Sequence, residues 1–152
     1  VVLANLDFLN IASAVEIGRT PIIISEQVEF VNRTKWNADK QLAGKLIEDW
    51  RNDFESMDQN RLLANYSRNF KTLQGEDINT WVLKQRQLND SVRDISVKLR
   101  DITQFRYPGK DEIIVSTFTQ ESIIGKNKTN IRKRQYWIKE TSRWRIIYET
   151  QL

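Results

Sequence analysis

The residues best able to do chemistry in this chain are carboxylates, and the usual partners for them are missing. The 152-residue sequence contains no histidine and no cysteine. Nucleophilic triads need a base beside the nucleophile, and His is the commonest such base as well as the commonest metal ligand. Without Cys there is neither a thiol nucleophile nor a disulfide within the chain. Only Ser/Lys or carboxylate chemistry remains, and no spacing points to either. Asp49 and Asp53 lie one helical turn apart, so a carboxylate pair is geometrically possible. Arg51 stands between them on a polar face, which reads as solvated helix surface. No ligand cluster for a metal and no Gly-rich phosphate loop occurs, so the expectation is no catalytic residue, no metal and no cofactor.

Two other constellations could bind. The first is a set of aromatic and polar residues, Trp50, Tyr66, Phe70, Trp81, Phe118 and Trp144 with Ser116, Gln120 and Glu149. If helices cover a bent sheet, these are candidates to line a concave pocket, with the polar members orienting a ligand; equally, the aromatics can simply fill the core. The second is basic. Lys126–Arg145 holds eight Lys/Arg and one acid, a net +7 in a chain of net +4. Such a block attracts anions, and Lys133, Arg134 and Arg145 are the candidate anion-binding residues. Tyr136 and Trp137 are adjacent in an expected strand, so they cannot share a face, and that weakens any continuous base-stacking platform.

Elements that would position these residues follow from periodicity. Leu42, Leu46, Trp50, Phe54 and Met57 recur at helical spacing, which predicts a long helix starting near Asn37. Ser56-Met57-Asp58-Gln59 matches a capping box, and Leu62, Leu63, Tyr66 and Phe70 predict a second helix over 58–70. Asp77 is placed to cap a third helix with Ile78, Trp81, Val82, Gln85, Leu88 and Val92 on one face. From Ile95 the period becomes two, with a phase break at Ile102 that predicts a bulge. A turn follows at 107–110, then a strand over 112–124, and a hairpin of 131–140 and 143–150 around Thr141-Ser142. The prediction is an α+β domain: three N-terminal helices packed on a bent antiparallel sheet. Residues 1–34 differ in texture. A helix bearing Phe8, Leu9, Ala12 and Val15, capped by Asn5 or Asp7 and ended at Gly18, sits between Val1–Ala4 and two extended pieces, Ile22–Ile24 and Val28–Phe30. This strand–helix–strand unit is too small to fold alone. No apolar run approaches the ~20 residues of a membrane helix.

The order Trp50, Asp58, Tyr66-Ser67, Phe70, Trp81, Phe118-x-Gln120 and Trp144-x-Ile146-x-x-Glu149 resembles the nuclear transport factor 2-like (SnoaL-like) cone over roughly residues 36–152. More narrowly, it resembles the version carried C-terminally by certain bacterial L,D-transpeptidases. Val2-Leu3-x-Asn5-x-Asp7-Phe8 and Gly18-x-Thr20-Pro21-x-Ile23-Ile24 resemble the last segment of such an enzyme's catalytic domain. The resemblance divides the chain into 1–34, the tail of that catalytic domain, and 35–152, the cone. It implies that the catalytic Cys lies just before Val1 and its activating His further upstream. It implies a non-catalytic domain of a periplasmic or cell-envelope protein, binding peptidoglycan or another anionic wall polymer, with no cofactor. The second reading is a stand-alone module for an anionic polymer, wall polymer or nucleic acid; a small-molecule enzyme on the cone is a third. A bare edge strand recruits another strand, so Ile22–Phe30 is expected to pair with the chain's own sheet or, in preference, with a second copy as a homodimer.

Overall fold

In the computed structural model, residues 4–17, 20, 22–25, 29–89, 94–107, 109 and 111–152 are described, the side chains of 85–89 excepted. α1 (Asn5–Ala14) and α2 (Arg33–Glu55) come first. α3 (Gln59–Ala64) leads into β1 (Tyr66–Thr72), and α4 (Ile78–Asn89) precedes β2 (Ile95–Tyr107), β3 (Ile113–Ile124), β4 (Asn127–Glu140) and β5 (Arg143–Gln151). The five strands form one mixed sheet in the order β1-β5-β4-β3-β2. β1 runs parallel to β5 and the other neighbours are antiparallel. The fold is α+β, with a sheet that is not wholly antiparallel.

α2 is long because its apolar positions hold a helical period over six turns. Asn32 starts it, its Oδ1 accepting from the Lys35 N–H at 2.8 Å, which satisfies one of the orphan amides of a first turn. Ala43, Ile47 and Trp50 are buried, and Leu42, Leu46 and Phe54 pack against the same core. The helix lies across β2 and β3, while α3 and α4 lie against β1. Met57 ends it in a left-handed conformation, φ 58°.

The expected helix over 58–70 is instead α3 followed by β1. Tyr66 and Phe70 are four apart, a spacing that satisfies a helical face and a strand face equally. The chain extends because Tyr66 pairs with Ile146 of β5 and the Ile146 N–H donates to the Asn65 carbonyl at 2.7 Å. The cap of α3 is Asp58, whose Oδ1 accepts from Asn60 and Arg61; Ser56 instead accepts from the Asp58 N–H. Asp77 caps α4 as expected, through the Thr80 N–H at 2.9 Å. Gln85, Leu88 and Val92 of the expected α4 face lie outside the described side chains.

The bulge expected at Ile102 is a register shift between Arg100 and Thr103, with Asp101 at φ 50°. β3 and β4 join through a two-residue turn, Gly125-Lys126, where Gly125 has φ 57°, the sign that favoured hairpin turns require. β4 therefore begins at Asn127, earlier than the periodicity suggested.

α1 forms, but Ala4 precedes it without a side-chain cap and none of its residues is buried. Ile22–Ser25 and Glu29–Phe30 form no strand, and Ile22, Ile24 and Phe30 are exposed. These described residues do not pair with the chain's own sheet. Val1–Leu3, Gly18, Pro21, Val28, Pro108 and Lys110 lie outside the described residues.

Candidate functional site

The sheet has two faces of different chemistry, and register assigns the candidates on β3, β4 and β5 to one or the other. On the face covered by helices, Ile114, Ser116, Phe118 and Gln120 of β3 stand opposite Trp137, Gln135, Lys133 and Ile131 of β4. Gln135 and Trp137 stand in turn opposite Glu149 and Ile146 of β5.

Trp50, Tyr66, Phe70, Trp81 and Phe118 are buried together. Their rings form two groups: Trp50 with Phe118 at 5.5 Å and Phe54 at 5.4 Å, and Tyr66 with Phe70 at 5.0 Å and Trp81 at 4.4 Å. Trp144 is half-buried at the margin. A seam of hydrogen bonds joins the groups. Trp50 Nε1 donates to Tyr66 Oη at 3.1 Å, and Tyr66 donates to Glu149 Oε2 at 3.2 Å. Gln135 Nε2 donates to the same oxygen at 2.8 Å, and Lys133 Nζ reaches Glu149 Oε1 at 3.3 Å. Burial, then the neighbouring Glu149 charge, pushes the Tyr66 phenol well above its ordinary value, so it is a neutral donor. Nearby, Gln104 Nε2 donates to Ser116 Oγ at 2.9 Å and Gln120 Nε2 to Ser122 Oγ at 2.8 Å.

This interior is filled. A void of about 10 Å³ lies beside Leu62, Trp81 and Val82, about one water sphere and too small for a ligand. Three buried polar atoms in the interior have no partner: Gln120 Oε1, Gln135 Oε1 and Trp137 Nε1.

The basic candidates separate. Lys133 is not an external anion site: it is 8 % exposed, paired with Glu149, and lies 5.6 Å from the Trp50 ring and 5.7 Å from Phe54. Its neighbour Arg134 points to the opposite face, where Nε donates to Thr117 Oγ1 at 2.9 Å. Arg145 shares that face and reaches Glu140 at 3.5 Å. Asp49 and Asp53 make no carboxylate pair with each other; Asp49 takes Lys45 at 2.7 Å and Asp53 takes Arg61 at 2.8 Å. Among the described residues there is no cluster of three metal-ligating side chains, and no helix is long and apolar enough to cross a membrane. Gln135 and Gln104 were not singled out from sequence, and Trp137 was named only with Tyr136 as a stacking candidate; their parity with Ile131 along β4, or with Ser116 across the sheet, is the signal that places them inside.

A search of curated proteins finds no sequence match. Among solved structures, Bd1075 of Bdellovibrio bacteriovorus superposes with a TM-score of 0.86 at 22 % identity, over 99 % of this chain and 55 % of that one. The helical cell shape determining protein Pgp2 of Campylobacter jejuni gives a TM-score of 0.71 at 17 % identity, over 97 % and 52 %. An NTF2-like protein of unknown function from Pseudomonas putida gives 0.65 at 14 % identity, over 76 % and 86 %. These likenesses establish the fold. The chain spans about half the length of Bd1075 and of Pgp2. Residues 42–150 match the family described as the Cds6 C-terminal NTF2-like domain, and with most of its length inside that match the chain belongs to this family.

Proposed function

We propose that the chain is the non-catalytic, substrate- or partner-binding region of a cell-envelope protein that acts on peptidoglycan, of the L,D-transpeptidase-like kind. The observation that carries this is a contrast in coverage. The Pseudomonas protein accounts for 76 % of the chain, whereas Bd1075 and Pgp2 account for 99 % and 97 %. The segment before the cone is therefore matched by the longer proteins, one of which is named for determining cell shape. The sequence of that segment resembles the tail of an L,D-transpeptidase catalytic domain. The exposed Leu6, Phe8, Leu9 and Ile22–Ile24 suit a segment that packs against further protein, from the same polypeptide or a second copy.

The interior carboxylate, Glu149, is held by Tyr66, Gln135 and Lys133. Chemistry in the whole protein would come from a Cys and a His outside this chain. The test is an amide-resolved NMR titration with a soluble tetrapeptide muropeptide, followed by mass spectrometry of the ligand. Saturable shifts with an unaltered ligand are expected. No shifts would overturn the binding role, and release of the terminal D-residue would overturn the non-catalytic one.

A further inference from the structure

The sheet face turned away from α2 carries a feature that the interior does not explain. Register places Arg100, Thr119 and Arg132 in one row across β2, β3 and β4, and Thr103, Thr117 and Arg134 in the next. Successive same-face residues lie about 7 Å apart along a strand and neighbouring strands about 5 Å apart. Arg132 and Arg134 therefore stand together on this face, Arg134 over the buried Thr117, with Arg100 on the far side.

The charges here are only partly balanced. Glu121 lies 3.5 Å from Arg100 and 2.9 Å from Lys128, and Asp101 lies 3.4 Å from the Thr119 hydroxyl. Among the described residues, no carboxylate is within salt-bridge distance of Arg132 or Arg134. Arg134 spends its Nε on Thr117, and the Arg132 Nε is buried with no partner. Their terminal nitrogens remain as donors, in the planar fork that matches a carboxylate edge. The following row is apolar: Phe105, Val115, Tyr136 and Tyr148 lie side by side. Tyr136 and Tyr148 pack edge to face at 5.5 Å.

We propose that this outer face is a docking site for the free carboxylates of a peptidoglycan stem peptide, gripped by Arg132 and Arg134, with its small side chains on the Tyr136–Tyr148 shelf. The assignment of the ligand rests on the wall-binding reading above; the site itself rests on the register and the unpaired arginines.

The experiment is a calorimetric titration of the chain with a soluble tetrapeptide muropeptide and with the same compound amidated at its carboxylates. It is run on the wild type, on R132Q/R134Q and on K40Q/K45Q, which removes the same charge from the exposed side of α2. Loss of two charge-assisted forks should weaken the first variant about tenfold or more, leave K40Q/K45Q within about twofold, and make amidated ligand equally weak. Wild-type affinity in a folded R132Q/R134Q overturns the site and leaves the wall-binding reading standing. A wild type that ignores the muropeptide overturns both. A wild type that binds an oligonucleotide more tightly through the same two arginines assigns the face to another class and overturns the proposal. If R132Q/R134Q does not fold, guanidinium modification of the wild type mapped by mass spectrometry decides: saturating muropeptide should protect Arg132 and Arg134, and unchanged reactivity overturns the site.

Discussion

Replacing Glu149 by Gln tests whether the interior seam is a closed network. Glu149 is 9 % exposed and its two oxygens take Tyr66, Gln135 and Lys133. The amide keeps the shape and one acceptor. It loses the charge opposite Lys133 and turns an NH₂ toward a donor. Breaking a buried pair by removing one partner costs about 3–5 kcal/mol. The Lys133 side chain keeps 10 % exposure, which allows slight movement of its ammonium toward water, so the lower end, about 3 kcal/mol, is expected. At about 2–4 °C per kcal/mol for a chain of this size, the midpoint should fall by roughly 6–12 °C. The assay is urea unfolding at neutral pH, with the slope checked for constancy. K133M removes the orphaned cation, so K133M/E149Q should cost less than the sum of the single changes by about 1 kcal/mol or more. A cost under about 1 kcal/mol for E149Q, with no coupling to K133M, would mean that Lys133 is hydrated and the seam carries no ion pair.

Other expectations follow from the same packing. Trp50→Ala removes a fully buried ring and should cost about 3–5 kcal/mol by urea unfolding; a loss under about 1 kcal/mol would mean that α2 is packed differently. Because the folded Tyr66 phenol is raised above its unfolded value near 10, its stabilising contribution is complete below that pH and is lost as pH rises beyond it. Alkaline unfolding should therefore be shallower in Y66F. Asp77 is lowered chiefly by the Thr80 N–H, so its contribution is present above the unfolded carboxyl value and is lost as pH falls through the lower folded one; D77N should melt earlier at neutral pH and differ less in acid. Glu55 accepts from the Val97 N–H at 3.2 Å and Arg51 donates to the Val97 carbonyl at 3.4 Å, covering part of the β2 edge. R51A/E55A bares that edge, and sedimentation should show more association than in the wild type.

Much of the scaffold is legible in the sequence, and the failures have identifiable causes. The α2 stripe, the Asp77 cap, the β2 bulge and the Thr141-Ser142 hairpin turn are local, so period and side-chain chemistry suffice. β1 was mistaken for helix because Tyr66 and Phe70 satisfy both periods; only its partner, β5, 80 residues on, decides. That pairing is parallel and non-local, and nothing in either segment announces it. Lys133 was misplaced because charge was weighed above parity: Ile131, Lys133, Gln135 and Trp137 share one face, and the Trp fixes that face as the inner one. The same parity carries Arg132 and Arg134 outward together and puts Lys133 on the other face. Five of the six aromatic candidates are buried together, with Trp144 at the margin, but whether such residues line space or fill it depends on volumes that spacing does not encode.

Co-sedimentation with purified peptidoglycan sacculi tests the central claim most directly. The account predicts that the chain pellets with sacculi at low ionic strength and is progressively released as salt screens the arginines, with little left bound when the screening length falls to about 3 Å near 1 M. It also predicts that no D-amino acid is liberated. A chain that stays in the supernatant at low salt, or that releases D-amino acids from the sacculi, would contradict it.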